Sequence, residues 1–124
     1  MSQANEKSLI KLLLPEGILD YFEVNQVNTV EGVINIYLEE LNSIPKEFQG
    51  HKLTSKGFFE EIKVQDFPIR GKASYLYIKR RRWLDEITGN TVYRDWELVA
   101  KGTRLTKDFA AFLKVIHRYQ SSQL

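Results

Sequence analysis

Residues 72–83, "KASYLYIKRRRW", decide the fold, because an alternating strand runs here into four consecutive cations. In an extended strand, successive side chains point to opposite faces of the sheet. Leu76 and Ile78 therefore share one face, and Tyr75 and Tyr77 share the other. The sequence predicts a strand whose aliphatic face packs against a core.

The cations that follow, Lys79 to Arg82, repel one another and cannot all find acids nearby in a small fold. Arg80 and Arg82 fall on the aliphatic face, so they must lie beyond the edge of the core or reach round it. Cations beside aromatic rings suit phosphate contact combined with stacking, and arginine favours bidentate contacts with phosphate or guanine. Charges on a strand also protect an exposed sheet edge against aggregation. Both interpretations of the run stay open.

Charge is distributed unevenly along the whole chain of 124 residues. Residues 1–62 carry 5 Lys or Arg against 10 Asp or Glu, a net charge of −5. Residues 63–124 carry 13 against 6, a net charge of +7, and residues 67–84 contain six cations and no acid. Such one-sided charge is typical of proteins with a polyanionic partner. Solvated surface balanced by the acidic half is the alternative.

The residues before this strand predict a short helix and a hairpin. Residues 5–14 form the helix, which ends before Pro15 and has Leu9, Leu12 and Leu13 as its apolar stripe. A brief turn of helix restarts at residues 15–17. Residues 33–41 alternate strictly, so they form a strand that pairs with residues 22–30 through a turn at Glu31-Gly32.

The remaining elements complete an α+β fold, in which a mostly antiparallel sheet lies between a short N-terminal helix and a C-terminal amphipathic helix. Residues 42–57 are predicted as a loop, residues 58–64 as a strand, Arg70-Gly71 as the turn into the strand over residues 72–83, and Gly89-Asn90 as a hairpin turn. The last helix begins after the N-cap Thr106 and runs to about residue 119. Its apolar face carries Phe109, Phe112, Leu113 and Ile116.

Composition bounds the class of protein. The hydrophobic fraction of 43% and the aromatic fraction of 12% are those of a globular protein, and the length suits one compact domain. Within it, residues 1–102 form the first helix and the β module, and residues 103–124 form the C-terminal helix. The chain has no cysteine, and its early apolar run is too short for a signal peptide or membrane span, so a cytoplasmic location without membrane association is expected.

Signals for catalysis are weak. His51 and His117 have no nucleophile at a recognisable spacing, and two histidines without cysteine make a poor metal set. The pairs Glu39-Glu40 and Glu60-Glu61 fall in predicted strands, where neighbours face opposite sides. We therefore expect no enzyme activity, no cofactor and no metal. Trp83 and Trp96 are predicted as core anchors.

Three stretches, "LLLPEGILDYFEV" (12–24), "FPIRGKASYLYIKRRRWLDEITGNTVYRDW" (67–96) and "AKGTRLTKDFAAFLK" (100–114), occur in this order. Their succession resembles the N-terminal region of bacterial insertion-sequence transposases of the DDE type, most specifically over residues 79–114. In related transposases a strand hairpin precedes a zinc-ribbon-like module and a helix-turn-helix, all ahead of the catalytic domain. The cysteines of that ribbon are replaced here by "PKEFQG" and "LDEITGN". The resemblance therefore implies a metal-free, DNA-binding front end, separately encoded or truncated, braced by its tryptophans. It also implies that residues 103–124 begin a helical DNA-binding segment.

The resulting prediction is a module that binds duplex DNA at transposon ends and works with a separate catalytic transposase subunit. The predicted DNA contacts are Arg70, Lys72, Lys79, Arg80, Arg81, Arg82, Lys101, Arg104, Lys107, Lys114 and Arg118. The alternatives are an assembly module that docks onto the catalytic subunit and an RNA-binding β-domain. The apolar face of the last helix either folds back on the sheet, pairs with a second copy in a homodimer, or waits for a partner.

Overall fold

The computed structural model describes residues 3–95 and 104–122, except for the side chains of residues 3, 4, 7 and 117–122. Two α-helices, seven strands and two short 3-10 helices lie in these ranges. In chain order they are α1 (Gln3–Leu13), a 3-10 turn (Ile18–Asp20), β1 (Phe22–Val30), β2 (Val33–Glu40), a 3-10 turn (Lys46–Phe48), β3 (Leu53–Phe58), β4 (Ile62–Ile69), β5 (Lys72–Lys79), β6 (Arg81–Asp85), β7 (Thr91–Val92) and α2 (Lys107–Ser122).

The strands form two sheets. The main sheet has the order β1-β2-β5-β4, in which two antiparallel hairpins meet through the parallel pair β2 and β5. The small sheet has the order β3-β6-β7 and is antiparallel. The α+β class and the mostly antiparallel pairing are therefore confirmed, and the parallel pair at the centre is an addition to the prediction.

Both hairpins of the main sheet close through two-residue turns with positive φ. Glu31 and Gly32 have φ of 52° and 77°, and Arg70 and Gly71 have φ of 54° and 78°. Two positive φ angles in succession match the right-handed twist of the flanking strands, which explains why the predicted turns hold at these points. Glutamate and arginine pay a small steric cost there that glycine does not.

The core lies on one face of the main sheet. Phe22, Leu38, Leu76 and Ile78 are each at most 1% exposed, and Leu14 and Ile18 pack over them. This confirms the predicted aliphatic faces of the two central strands. The predicted apolar stripe of the first helix is wrong, because its three leucines remain in solvent and the helix instead contributes Ile10 to the core. The exposed leucines are Leu9 (52%), Leu12 (82%) and Leu13 (48%).

Between residues 42 and 69 the structure differs from the prediction. Residues 53–57 of β3 fall in the predicted loop. They form a strand because β3 pairs with β6, about 30 residues away in sequence, for example Leu53 with Asp85. β4 begins at Ile62, later than expected. The pair Glu60-Glu61 consequently lies in the connection between two strands and not in a strand, so the prediction for that pair is wrong.

The predicted strand over residues 72–83 breaks at Arg80. β5 belongs to the main sheet and β6 to the small sheet, so one nearly continuous run of chain joins the two. β7 returns beside β6 after a loop over residues 86–90, which is longer than the predicted two-residue turn although it contains Gly89 with φ of 77°. The hairpin itself is confirmed.

The last helix begins where the sequence predicts. The hydroxyl Oγ1 of Thr106 accepts a hydrogen bond from the N–H of Phe109 at 3.4 Å and donates one to Oδ1 of Asp66 at 2.8 Å. The preceding residue, Leu105, pairs with Gln65 of β4 in a parallel bridge. A capped helix start is thereby fixed to the outer edge of the main sheet.

Candidate nucleic-acid interface

The arginines of the basic run bind acceptors within their own chain, and Arg81 makes the most contacts. Its backbone N–H donates to Oε1 of Glu40 at 3.0 Å, its Nε to the Glu40 carbonyl at 3.2 Å, and its Nη1 to Oγ of Ser55 at 2.6 Å. The guanidinium also lies 4.6 Å from the ring centroid of Phe58. Arg81 therefore joins the end of β2 to β3.

The neighbouring arginines are engaged in a similar way. Arg80 donates from Nη2 to the carbonyl of Arg94 at 2.6 Å and lies 5.3 Å from the ring centroid of Tyr93. Arg82 donates from Nε to the carbonyl of Lys56 at 3.1 Å. The Nε of Arg80 is buried without a hydrogen-bond partner among the described residues. Of the three arginines, Arg81 is the one that bonds to the main sheet, whereas Arg82 bonds within the small sheet and Arg80 to the segment after β7. The predicted contact of all three with DNA stays a prediction.

Glu40, which accepts hydrogen bonds from Arg81, also forms a buried ion pair with Arg94. Nε of Arg94 lies 3.1 Å from Oε2 of Glu40, and both side chains are at most 8% exposed. Arg94 also donates from Nη2 to the carbonyl of Ser43 at 2.8 Å and stacks 4.0 Å from the ring centroid of Tyr21. The sequence indicates only that Glu40 and Glu39 face opposite ways. The partner of Glu40 lies 54 residues away, and no local pattern marks it.

Most of the other predicted cations lie on the surface. Arg70 lies in the β4–β5 turn and Lys72 follows it, Lys79 ends β5, and Arg104 precedes the cap of α2. Lys107 and Lys114 are exposed on α2. In the described part of the chain, Arg70, Lys72, Lys79, Arg104 and Lys114 form no ion pair. Lys101 and the side chain of Arg118 lie outside the described residues.

The face of the main sheet opposite the core carries a row of aromatic and cationic side chains. Tyr37 of β2 and Tyr77 of β5 are cross-strand neighbours, and their rings stack with centroids 4.5 Å apart and planes inclined by 14°. Lys63 of β4 is the next neighbour, and its Nζ lies 4.4 Å from the ring centroid of Tyr75 and 5.6 Å from that of Tyr77. We call Tyr37, Tyr75, Tyr77 and Lys63 the tyrosine row.

Amide side chains continue this face towards β1. Asn35 pairs with Asn28 on one side and with Tyr75 on the other, and its Nδ2 donates to Oδ1 of Asn28 at 3.0 Å. The sequence alternation places Tyr75 and Tyr77 away from the core, but Lys63 and Asn28 were missed. Their place beside the tyrosines depends on a strand register that sequence alternation does not define.

His51 lies in a loop at the surface with its side chain 45% exposed, and one hydrogen bond anchors it to a buried carboxylate. Its Nδ1 lies 2.8 Å from Oδ2 of the buried Asp85. This hydrogen bond from His51, supported by the N–H groups of Ile87 and Thr88, holds the pKa of Asp85 below its ordinary value of 3.8. Across residues 3–95 and 104–122, no group of three or more His, Cys, Asp or Glu residues could hold a metal ion. The side chain of His117 is not described.

Trp83 is confirmed as a core anchor. It is 1% exposed, and its Nε1 donates to Oδ1 of Asn42 at 2.9 Å. Trp96 falls outside the described residues. No helix in the described ranges is long and apolar enough to cross a membrane.

Comparisons with protein-family models, with curated proteins and with solved structures gave no match to this chain. The function is therefore inferred from the residues and their geometry.

Proposed function

We propose that this chain is a DNA-binding module of an insertion-sequence transposase. It recognises transposon ends in the cytoplasm, acts with a separate catalytic subunit and has no catalytic site of its own. The order of the three stretches over residues 12–114 supports the transposase assignment. The excess of positive charge in residues 63–124 supports a polyanionic partner.

The observation that carries the proposal is a set of exposed cations along β4 that form no ion pair within the described part of the chain. Arg104 is held next to β4, because its carbonyl accepts a hydrogen bond from the N–H of Gln65 at 2.8 Å. Arg70 and Lys72 lie at the turn that ends the same strand. From Gln65 to Arg70 the strand rises by about 17 Å. That length equals about five base-pair steps along a duplex axis, so the set suits contact with several phosphates of a duplex backbone.

A binding titration tests the proposal. Duplex DNA from the ends of the encoding element is compared with unrelated duplex at several salt concentrations. Contact with four to six phosphates predicts a slope of log K against log salt of roughly −4 to −5. Replacing Arg70, Lys72 and Arg104 with glutamine should make the slope less negative by about 2.7, at about 0.9 per phosphate.

A matched triple variant controls for charge alone. Lys11, Lys46 and Lys56 are exposed cations of the acidic half, and their replacement with glutamine removes the same charge. We expect this variant to keep the slope of the parent. Equal changes in both triple variants, or no change in either, would remove the β4 cations from the interface.

A second candidate function is the binding of single-stranded nucleic acid, which the tyrosine row favours. Aromatic rings beside a cation on a sheet face are the usual platform for unpaired bases, and one stacked base contributes about 1–3 kcal/mol. Tyr75→Leu should then weaken binding of a single-stranded oligonucleotide by about 5- to 150-fold. Tyr93→Leu, a change at a 51% exposed tyrosine away from the row, serves as the control. Duplex affinity should not change in either variant.

A further inference from the structure

Strand β1 forms a free edge of the main sheet. In the described residues it pairs with β2 on one side and with no strand on the other. By contrast, β4 at the opposite edge is covered, since Leu105 bridges to Gln65. The side chains of Val27 and Val30 are 57% and 55% exposed, so the second half of β1 is open to solvent.

This edge lacks most of the devices that keep natural sheet edges from pairing. Edges are usually blunted by lysine, proline or a bulge. β1 contains neither lysine nor proline, and Glu23 is its one charged residue. Its bulge lies between Val24 and Gln26, ahead of the open part. Residues 26–30, "QVNTV", therefore present an uncharged strand of regular geometry.

The hairpin geometry defines which main-chain groups face outwards. Val30 and Val33 flank the two-residue turn, and such a flanking pair exchanges two hydrogen bonds. Hydrogen-bonded and non-hydrogen-bonded pairs alternate along an antiparallel ladder, so Asn28 also directs its N–H and C=O groups at β2. Val27 and Thr29 consequently direct theirs at the open edge.

We propose that two copies of this chain pair through their β1 strands, antiparallel and centred on Asn28. In this register Val27 of one copy exchanges main-chain hydrogen bonds with Thr29 of the other, and the two-fold axis repeats the exchange. All outward N–H and C=O groups of both residues gain partners. The main sheets of the two copies join into one sheet of eight strands.

A second copy fits this edge better than a strand of another protein, because the side chains are self-complementary about the axis. Val27, exposed on the core side of the sheet, meets Thr29 of the second copy. On the opposite side Asn28 meets Asn28. Oδ1 of Asn28 already accepts from Asn35, and its Nδ2 has no partner among the described residues. Each Nδ2 can therefore donate to Oδ1 of the other Asn28, which extends the amide row across the axis. The inference is independent of nucleic-acid binding.

Disulfide cross-linking of single-cysteine variants tests the register of the two β1 strands directly, because the chain has no cysteine of its own. Only the residue on the axis meets itself, and a non-hydrogen-bonded pair has Cα atoms about 4.5 Å apart, which lies within the disulfide range of roughly 4.4–6.8 Å. Asn28→Cys should give a disulfide-linked dimer on mild oxidation, whereas Gln26→Cys and Val30→Cys should not. A scan in which no position of β1 is cross-linked faster than Leu12→Cys, an exposed site on α1, would overturn the proposal.

Sedimentation over a wide concentration range tests the same contact without cross-linking. We expect a dimer in the unmodified chain and a monomer in Val27→Lys, with circular dichroism showing that the variant stays folded. Thr29→Lys should act in the same way. Leu12→Lys is the matched control, because it also puts lysine at an exposed aliphatic position, and it should remain dimeric. A monomer at all concentrations, or a dimer that both β1 variants leave intact, would refute pairing through β1.

Discussion

Glu40 is the residue on which the junction of the two sheets depends. Its carboxylate accepts hydrogen bonds from the N–H of Arg81 and from Nε of Arg94, and its carbonyl accepts a third from Nε of Arg81. Glu40 is 2% and Arg94 7% exposed. A buried ion pair stabilises little compared with apolar residues, but removal of one partner leaves the other charge uncompensated.

A double-mutant cycle tests this difference between removing one partner of the ion pair and removing both. Glu40→Leu and Arg94→Met should each lower the free energy of unfolding by roughly 3–5 kcal/mol, because each leaves a buried unpaired charge. The double variant should lose clearly less than the sum of the two. Urea denaturation measures all four proteins. Additive losses would show that the two side chains do not interact.

Two aspartates should give opposite dependences of stability on pH. The hydrogen bond with His51 lowers the pKa of Asp85, so its carboxylate stabilises the fold above the unfolded pKa, and this contribution is lost as pH falls through the folded pKa. Asp85→Asn should therefore lose less stability between pH 6 and pH 3 than the parent. Thermal midpoints at several pH values measure this.

Asp66 is the matched comparison. Burial raises its pKa, against the hydrogen bond from Thr106, so its contribution is present below the unfolded pKa and is lost as pH rises through the folded pKa. Asp66→Asn should thus become more sensitive to acid than the parent, relative to its own stability at pH 6. The same direction of change in both variants would contradict these assignments.

At the scale of the elements, the parts that the sequence predicts well are those determined by neighbouring residues. The turn at Glu31-Gly32 needs only two residues that tolerate positive φ between two alternating runs. Thr106 caps α2 through an N–H three residues ahead. The helix ending before Pro15 is similarly a local effect.

The parts that the sequence does not predict depend on distant partners. β3 has little alternation, and pairing with β6 makes it a strand. The strand breaks at Arg80, where the chain leaves the main sheet. Arg80, Arg81 and Arg82 then donate hydrogen bonds to acceptors near β7, in β2 and in β3, respectively. The tyrosine row needs the parallel register of β2 with β5, in which Tyr37 meets Tyr77. The alternation predicts that Tyr75 and Tyr77 share a face, but it does not predict that Tyr37 and Lys63 lie beside them.

The apolar face of α2 is buried near its N-terminal end and partly exposed further along the helix. Phe109 is 6% exposed and packs against Phe67 with ring centroids 5.3 Å apart, whereas Phe112, at the same distance from Phe67, is 45% exposed. Phe109→Ala should therefore cost about 3–5 kcal/mol of unfolding free energy. Phe112→Ala should cost only about 1 kcal/mol, mainly the aromatic contact. Chemical denaturation of both variants measures these losses.

Phe112 also tests the predicted homodimer, in which the contact is formed by Phe109, Phe112, Leu113 and Ile116. The burial of Phe109 favours the predicted folding back of this helix on the sheet. Phe112→Asp should accordingly leave the association state of the protein unchanged. A dimer that this variant dissociates into folded monomers would instead place the association on α2.

At the scale of the whole molecule, the two sheets are joined by the run from β5 to β6 and by the arginine contacts around it. The small sheet has three strands, one of them two residues long, and its buried anchor is Trp83. Trp83 donates to Asn42, which follows β2 of the main sheet. Because β7 has only two residues, the small sheet is close to a two-stranded ribbon, which is marginally stable alone, so its stability depends on the junction.

Weakening the junction should therefore separate the unfolding of the two sheets. In a Trp96→Phe background, Trp83 is the single tryptophan, so its fluorescence reports on the small sheet while far-UV circular dichroism reports on all strands. The two urea transitions should coincide in this background, as expected for one cooperative unit.

Arg81→Met removes the hydrogen bonds to the Glu40 carbonyl and to Ser55 but keeps the apolar stem of the side chain. In this variant the fluorescence transition should move to a lower urea concentration than the circular dichroism transition. Arg82→Met, which loses one exposed bond to Lys56, should keep the transitions together. Coincident transitions in Arg81→Met would show that the junction does not couple the sheets through this side chain.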